Sequence, residues 1–462
     1  MHVAFRKIML INPSADIRLW EPHSENLGLG YLAAVLRQLG YQVIILDASL
    51  FRLGVSATLK RIRDQQPDVI GFRLLEVNMP YAIDLVVRLR REGYSGHITA
   101  GGPVATMMES EILKLVPELD SLMVGEGEET LPELLAALNS SGSPRPSGDP
   151  FTRILGLCYR EGDVIRANGP RPLIENLDAL PFPSRDTLPH ILRWGRLPML
   201  ITSRGCDGYC VFCCPAAMHT KSPGPKWRSR SAGNIVDEIE DLQRRYNVSH
   251  LDFLDDNFFG CGEVGVRRAW DFIEELRRRD LRIKFSIECR VDNVVDEDLF
   301  KALRDAGCVE VRLGVESGVQ RILDRYGKGT TVEQNREVLL KLKEWGMPVK
   351  IGFIPFDPTI SFEELTQNAE FLRSVGNPEA FNYNKIRVAV GTPLERMFEK
   401  EGRLTKPKPW MRDYTFDNQT VAFLWKVVQG YAMAKRAALQ LADGWKVGLA
   451  DLQALLRGER IG

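Results

Sequence analysis

Cysteine is missing from the first 157 residues of this 462-residue chain. Net charge is missing too: Lys+Arg and Asp+Glu both number 61, so the formal balance is zero. No global field therefore favours RNA, DNA or an anionic membrane surface as a partner. No apolar run approaches the ~20 residues of a membrane span. The opening MHVAFRKIMLINPS has too short an apolar stretch for a secretory signal and reads as a buried strand. Tandem repeats and low-complexity tracts are absent as well. These absences predict a soluble, cytoplasmic protein with no nucleic acid and no membrane partner. The hydrophobic fraction of 44% is ordinary, and the length calls for two or three domains.

What cysteine there is lies concentrated. Of eight, four fall within nine residues, Cys206, Cys210, Cys213 and Cys214, while Cys158, Cys261, Cys289 and Cys308 are scattered. A secreted disulfide framework would spread its cysteines through a far smaller chain. One tight cluster points instead to metal or redox chemistry. The scattered four read as small core residues.

Along the chain the fold class is α/β. Residues 1–140 alternate short apolar strands (KIMLINP, QVIILDA, DVIGFRL, HITAGG) with amphipathic helices such as GLGYLAAVLRQLGY. That pattern predicts a doubly wound parallel sheet, with ligands beyond the carboxyl ends of the strands. Those ends fall near Asn12–Ser14, Arg73–Glu76, Gly101–Pro103 and Gly125–Glu128. Residues 141–194 begin with the Ser/Pro/Gly-rich SSGSPRPSGDP and read as a linker, a small hairpin and an extended connector. Over 195–404 a second alternation, from MLITSRG to NYNKIRVA, predicts about six parallel strands of a partial βα barrel. Residues 405–462 are expected to be a short helical C-terminal region, with KRAALQLADGWK amphipathic.

The segment SRGCDGYCVFCC follows a predicted strand and spaces its thiols Cys206-x-x-x-Cys210-x-x-Cys213. Three thiolates on a short loop can hold three irons of a cubane and leave the fourth open. An open metal position is where a small ligand is bound and activated. Zinc is the alternative, with His219 as a fourth ligand, but no second cysteine pair lies at a suitable distance. Cys214 offers a second spacing. Cys213 is preferred, with Phe212 beside it as a shield and Cys214 as a packing residue.

With its aromatic before the last cysteine, the CxxxCxxC run resembles the signature of the radical S-adenosylmethionine (SAM) superfamily. WRSRSAGNIVDEIEDL, FLDDNFF, ECRVD, VRLGVESG and GKGTT occur in that order in similar proteins. The resemblance implies a 4Fe-4S cluster and S-adenosyl-L-methionine as cofactors, and an external one-electron donor such as a flavodoxin or ferredoxin. Reductive cleavage of SAM would give a 5′-deoxyadenosyl radical that abstracts hydrogen from the substrate. It also implies that SAM is held at successive strand ends. Asp255 and Asp256 would serve its ammonium, Arg290 its carboxylate, and Glu316 with Ser317 a further polar contact. Asp207, Glu288, Asp292 and Asp357 are carboxylates that could face a cationic substrate.

Residues 1–185 resemble the cobalamin-binding domain fused to many such enzymes, through LINP, LGLGYLAAVLRQLGY, ITAGGP, VGEGEE and ENLDALPFPSRD. In that family small residues leave an opening for the nucleotide tail, the role expected of Gly101 and Gly102. Two departures stand out. Bulky Arg73-Leu74-Leu75-Glu76 replaces small or hydroxyl residues, and Val104 stands where many relatives have histidine. These favour a domain that has lost cobalamin, and a radical resolved by dehydration or rearrangement on a sugar or aminosugar, as in aminoglycoside-pathway diol dehydratases. The alternative is a cobalamin-dependent radical SAM C-methyltransferase of natural-product biosynthesis. A non-enzymatic cobalamin carrier leaves the cysteine loop unexplained. A tRNA-modifying enzyme lacks its basic appendage here.

Overall fold

The computed structural model describes residues 6–15, 24–140, 150–260, 262–382 and 384–434. Five parallel strands form the first sheet: β1 (Lys7–Asn12), β2 (Gln42–Asp47), β3 (Val69–Arg73), β4 (His97–Gly101) and β5 (Ser121–Met123), in the order β2-β1-β3-β4-β5. Successive residues of β1 serve opposite faces, as the pleat requires. Ile8 and Leu10 pack with Leu29, Ala33 and Leu36 of one helix and Leu131 and Leu134 of another. Met9 and Ile11 pack on the other side with Leu59, Ile62, Leu85 and Val86. Burial on both faces explains the near-continuous apolar strands, and the doubly wound expectation is met.

The hairpin read as part of the connector joins this sheet. Strand β6 (Leu157–Glu161) adds antiparallel to β5, and β7 (Val164–Ala167) adds antiparallel to β6. An open edge beside β5 would invite pairing with other chains, and Leu157, Cys158 and Tyr159 are apolar enough to be buried there.

The second sheet is parallel, in the order β14-β13-β12-β11-β8. Its strands are β8 (Met199–Leu200), β11 (His250–Phe253), β12 (Lys284–Arg290), β13 (Cys308–Glu316) and β14 (Val349–Phe353). A separate antiparallel ribbon, β9 (Ser203–Gly205) with β10 (Trp227–Ser229), stands beside it. In β12 the residues Phe285, Ile287 and Cys289 enter the core under the helices, and Glu288 and Arg290 take the opposite, inner face. The expected sixth strand, NYNKIRVA, contributes one isolated bridge, Phe356 to Lys385. Ile386 and Val388 pack instead with Phe398 and Tyr414, so the segment is drawn away from the sheet.

Past residue 404 the chain is not wholly helical. A hairpin, β15 (Leu404–Lys408) with β16 (Met411–Tyr414), precedes a helix over 419–434. Pro407 and Pro409 cannot continue a helix. The run KRAALQLADGWK lies outside the described residues. Among the described residues no helix is long and apolar enough to cross a membrane.

The connector is held by a buried ion network. Arg185 donates to Glu25 at 2.7 Å and to Glu238 at 2.8 Å, and Arg230 donates to Glu238 at 2.5 Å. Arg185, Glu25 and Glu238 have only 2% of their side-chain surface exposed. Removing one partner strands a buried charge. Arg185→Ala is expected to destabilise the chain by roughly 3–5 kcal/mol, read from its denaturant midpoint; a midpoint equal to wild type would show the network to be dispensable.

Candidate active site

The cysteine loop leaves β9 at Gly205. There φ is +86°, and a Cβ would lie 1.8 Å from the Lys226 carbonyl oxygen, so only glycine fits. Asp255 anchors the start of β9: it accepts from Thr202 N at 2.7 Å and Ser203 N at 2.9 Å, and from the Thr202 hydroxyl. With 3% exposure, and the Arg268 guanidinium as its charge partner, Asp255 holds the loop's base and is turned away from any ligand.

Arg290 reaches from the end of β12 into the cysteine loop. Its Nη1 lies 3.8 Å from Cys210 Sγ, and its Nη2 donates to the Lys328 carbonyl at 3.0 Å and to Asp292 at 2.7 Å. Gly208 makes this reach feasible, because a Cβ there would meet Arg290 Nη1 at 2.5 Å. Gly208 N also donates to Cys206 Sγ at 3.3 Å. Burial pushes the Cys213 thiol up to about 12, so a thiolate there requires a strong cationic partner such as iron.

Cys213 and Cys214 have different surroundings. Cys213 stands within electrostatic reach of Cys206 and Cys210, whereas Cys214 answers to Glu76 and Arg387 across an interdomain cavity. His219 turns its Nε2 toward Asp256 Oδ2 at 3.7 Å. Among the described residues no three His, Cys, Asp or Glu side chains converge to hold a single metal ion. A cubane asks for something else: one thiolate at each of three separate irons.

The predicted SAM residues are not all gathered. Asp256 faces the loop, within electrostatic reach of Cys206 and Cys213. Glu316 ends β13 with φ +68°, a left-handed conformation that non-glycine residues seldom hold. The strain fits a bulge against β14, where the register shifts between Gly314 and Glu316. Ser317 is fully buried, donating to Asn368 at 3.0 Å and accepting from Val319 N at 3.1 Å, so it shapes the turn.

Lys328, inside the quoted GKGTT run, was not singled out from sequence. Its ammonium meets Glu316 Oε1 at 3.0 Å with 6% of its side chain exposed. The absent side chain of Gly314 leaves room for this pair, since a Cβ would lie 2.8 Å from Lys328 Nζ. Nothing in the sequence marks Lys328, because its burial and its glutamate partner arise only in the fold.

Of the four carboxylates considered for substrate, three are engaged elsewhere. Asp357 is buried and accepts from Thr359, Asp292 pairs with Arg290, and Asp207 accepts from Asn257 at 3.2 Å. Glu288 stays open on the inner face of β12. Burial, then the charges of Asp256 and Glu316, push its carboxyl up to about 7 against Arg312 and Lys328.

A cavity of about 380 Å³ separates the carboxyl end of the first sheet from the helix Cys214–His219. Leu75, Val104 and Met107 line one wall; Phe212, Cys214 and Met218 line the other. Glu76 accepts from Arg387 at 3.2 Å across it. The four bulky residues at the end of β3 thus have separate fates: Leu74 enters the core, Leu75 and Glu76 form cavity wall, and Arg73 is half-buried within reach of Asp47. Gly102 serves a turn with φ +95°, its would-be Cβ only 3.1 Å from the Leu74 carbonyl.

Two family models match parts of the chain. The family model described as "Radical SAM superfamily" matches residues 200–372, and "B12 binding domain" matches residues 21–135. A protein of Pyrococcus horikoshii called an uncharacterized methyltransferase is 31% identical over 85% of this chain and 82% of its own length. The chain belongs to the radical SAM superfamily, with an N-terminal domain of the B12-binding type. Cytidylyl-2-hydroxyethylphosphonate methyltransferase of Streptomyces wedmorensis is 26% identical over 86% of this chain and 82% of its own. In fold, the cobalamin-dependent SAM radical enzyme OxsB matches with a TM-score of 0.78 at 24% identity, covering 93% of this chain and 67% of that one. This radical SAM enzyme therefore uses SAM and a 4Fe-4S cluster.

Two outcomes test the site. Cys206→Ala, Cys210→Ala and Cys213→Ala are each expected to lose 5′-deoxyadenosine formation, while Cys214→Ala keeps about four irons per chain; the reverse pattern for Cys213 and Cys214 would reassign the third ligand. Glu288 ionises in the fold above its ordinary 4.5, so its charge costs stability. The cost is absent below the ordinary carboxylate range, grows as pH rises, and is complete above about 7. Glu288→Gln should therefore match wild type in thermal unfolding at acid pH and exceed it above neutrality; a constant offset across the series would contradict this.

Proposed function

We propose that this chain is a cobalamin-dependent radical SAM C-methyltransferase acting on a small organic substrate. The observation that carries the reading is the apolar cavity between the first sheet and the cysteine helix. It fits a corrin in kind: Leu75, Val104 and Met107 offer an apolar floor without a histidine, and Met218 and Phe212 an apolar roof beside the cluster loop. Both relatives that span four-fifths of their own length with this chain carry methyltransferase names. The cobalamin-free dehydration or rearrangement expected from Arg73–Glu76 loses its ground, because Leu74 enters the core and Leu75 and Glu76 form cavity wall.

When bound, cobalamin supplies a methyl group to be passed on, and the cluster supplies the electron that splits SAM. The chain's own groups hold the SAM end. Arg290, fixed by Asp292, offers a cation for the carboxylate. Asp256 offers an anion for the ammonium, and the Glu316–Lys328 pair closes the strand-end side. Glu288 and Arg312 would meet the substrate on the inner face.

Anaerobic reconstitution with hydroxocobalamin should give equimolar co-elution on gel filtration and corrin-dependent release of S-adenosylhomocysteine. Val104→Trp, which fills the cavity floor, should lose both and keep 5′-deoxyadenosine formation. Failure of wild type to retain corrin would sink the methyl-transfer reading.

A further inference from the structure

The run Gly125–Glu128 lies at the carboxyl end of β5, where a ligand is expected, yet its carboxylates turn toward the other sheet's ribbon. Glu126 accepts from Arg204 Nη1 at 3.0 Å, from Arg228 Nη1 at 2.9 Å and from the backbone N of Ile174 at 2.7 Å. Glu128 accepts from Arg204 Nη2 at 2.6 Å. Arg204 and Arg228 are register partners on β9 and β10, and Arg204 stands two residues before Cys206. The ring of Tyr31 covers the Arg204 guanidinium at 5.1 Å.

Arg228 depends on this contact more than its length suggests. Its Nε and Nη2 have no partner among the described residues, so Nη1 alone, bonded to Glu126 and the Ile174 carbonyl, holds the guanidinium. Only 2% of its side chain is exposed, against 12% for Glu126. The ribbon has three residues per strand, too little pairing to fix its own orientation.

We infer that Glu126 is a positioning residue for the iron–sulfur cluster: its carboxylate ties both strands of the cysteine ribbon to the first sheet. One buried anion bridges two arginines, and losing it leaves Arg228 without a charge partner in low dielectric and Arg204 held by Glu128 alone. The ribbon would then be free to tilt, and the cluster's place relative to the cavity would no longer be set. Reaction geometry tolerates such shifts poorly, since a displacement of about 1 Å can cost 10²-fold in rate. The inference needs the cluster and SAM but neither cobalamin nor a particular substrate, so it stands or falls apart from the methyl-transfer reading.

Glu126→Gln keeps the shape and removes the charge. Anaerobically reconstituted E126Q is expected to bind about four irons per chain and to form 5′-deoxyadenosine about tenfold more slowly per cluster. Hydrogen exchange should quicken over 203–213 and 227–229, and Glu126→Asp should recover part of the rate. A purely structural role would lower iron and rate together, leaving the rate per cluster at the wild-type value; that result, or wild-type exchange in the ribbon, overturns the inference. If E126Q does not accumulate as folded protein, Glu128→Gln carries the test. It loses only the Arg204 Nη2 bond, so a smaller change in the same direction is expected, and unchanged rate and exchange would overturn the proposal.

Discussion

Three thiols must be brought to one side of a short loop, out of bulk water, without a core of their own to hold them. Everything near residues 203–219 answers that constraint. Asp255 anchors the incoming strand through two backbone N–H groups, and Gly205 allows β10 to close over it. Gly208 lets the Arg290 guanidinium enter beside Cys210. Burial raises the thiols of Cys206 and Cys213, so a thiolate at either calls for a cationic partner.

From that loop the two halves of the molecule acquire a common purpose. The first sheet presents an apolar floor at its carboxyl end, the usual place for ligands in such folds, and the cysteine helix forms the roof. Buried ion networks form at Arg185 and at Glu126. Such networks contribute less to net stability than hydrophobic packing of the same volume.

Much of this was legible in the sequence, for local reasons. Apolar strands with helical spacing between them gave both sheets, and the cysteine spacing with its aromatic gave the loop. Asp256, Arg290 and Glu316 stand at strand ends where the resemblance puts SAM contacts. What was not legible depends on partners far apart in the chain. Asp255 and Ser317 look like their neighbours until Thr202 and Asn368 are seen to use them. The Glu126–Arg204 contact joins residues 78 apart. Lys328 matters because Gly314 leaves space for it, and Arg73–Glu76 reads as an obstruction only while the directions of its side chains are unknown. The sixth strand was lost to competition from a second apolar cluster around Phe398.

The central claim is that Cys206, Cys210 and Cys213 leave one iron open to SAM at the edge of the interdomain cavity. Electron paramagnetic resonance of the reduced, anaerobically reconstituted protein, recorded with and without SAM, tests it most directly. A 4Fe-4S signal whose g-values shift on adding SAM is the expected result. A signal indifferent to SAM, or no reducible cluster at all, would contradict the assignment.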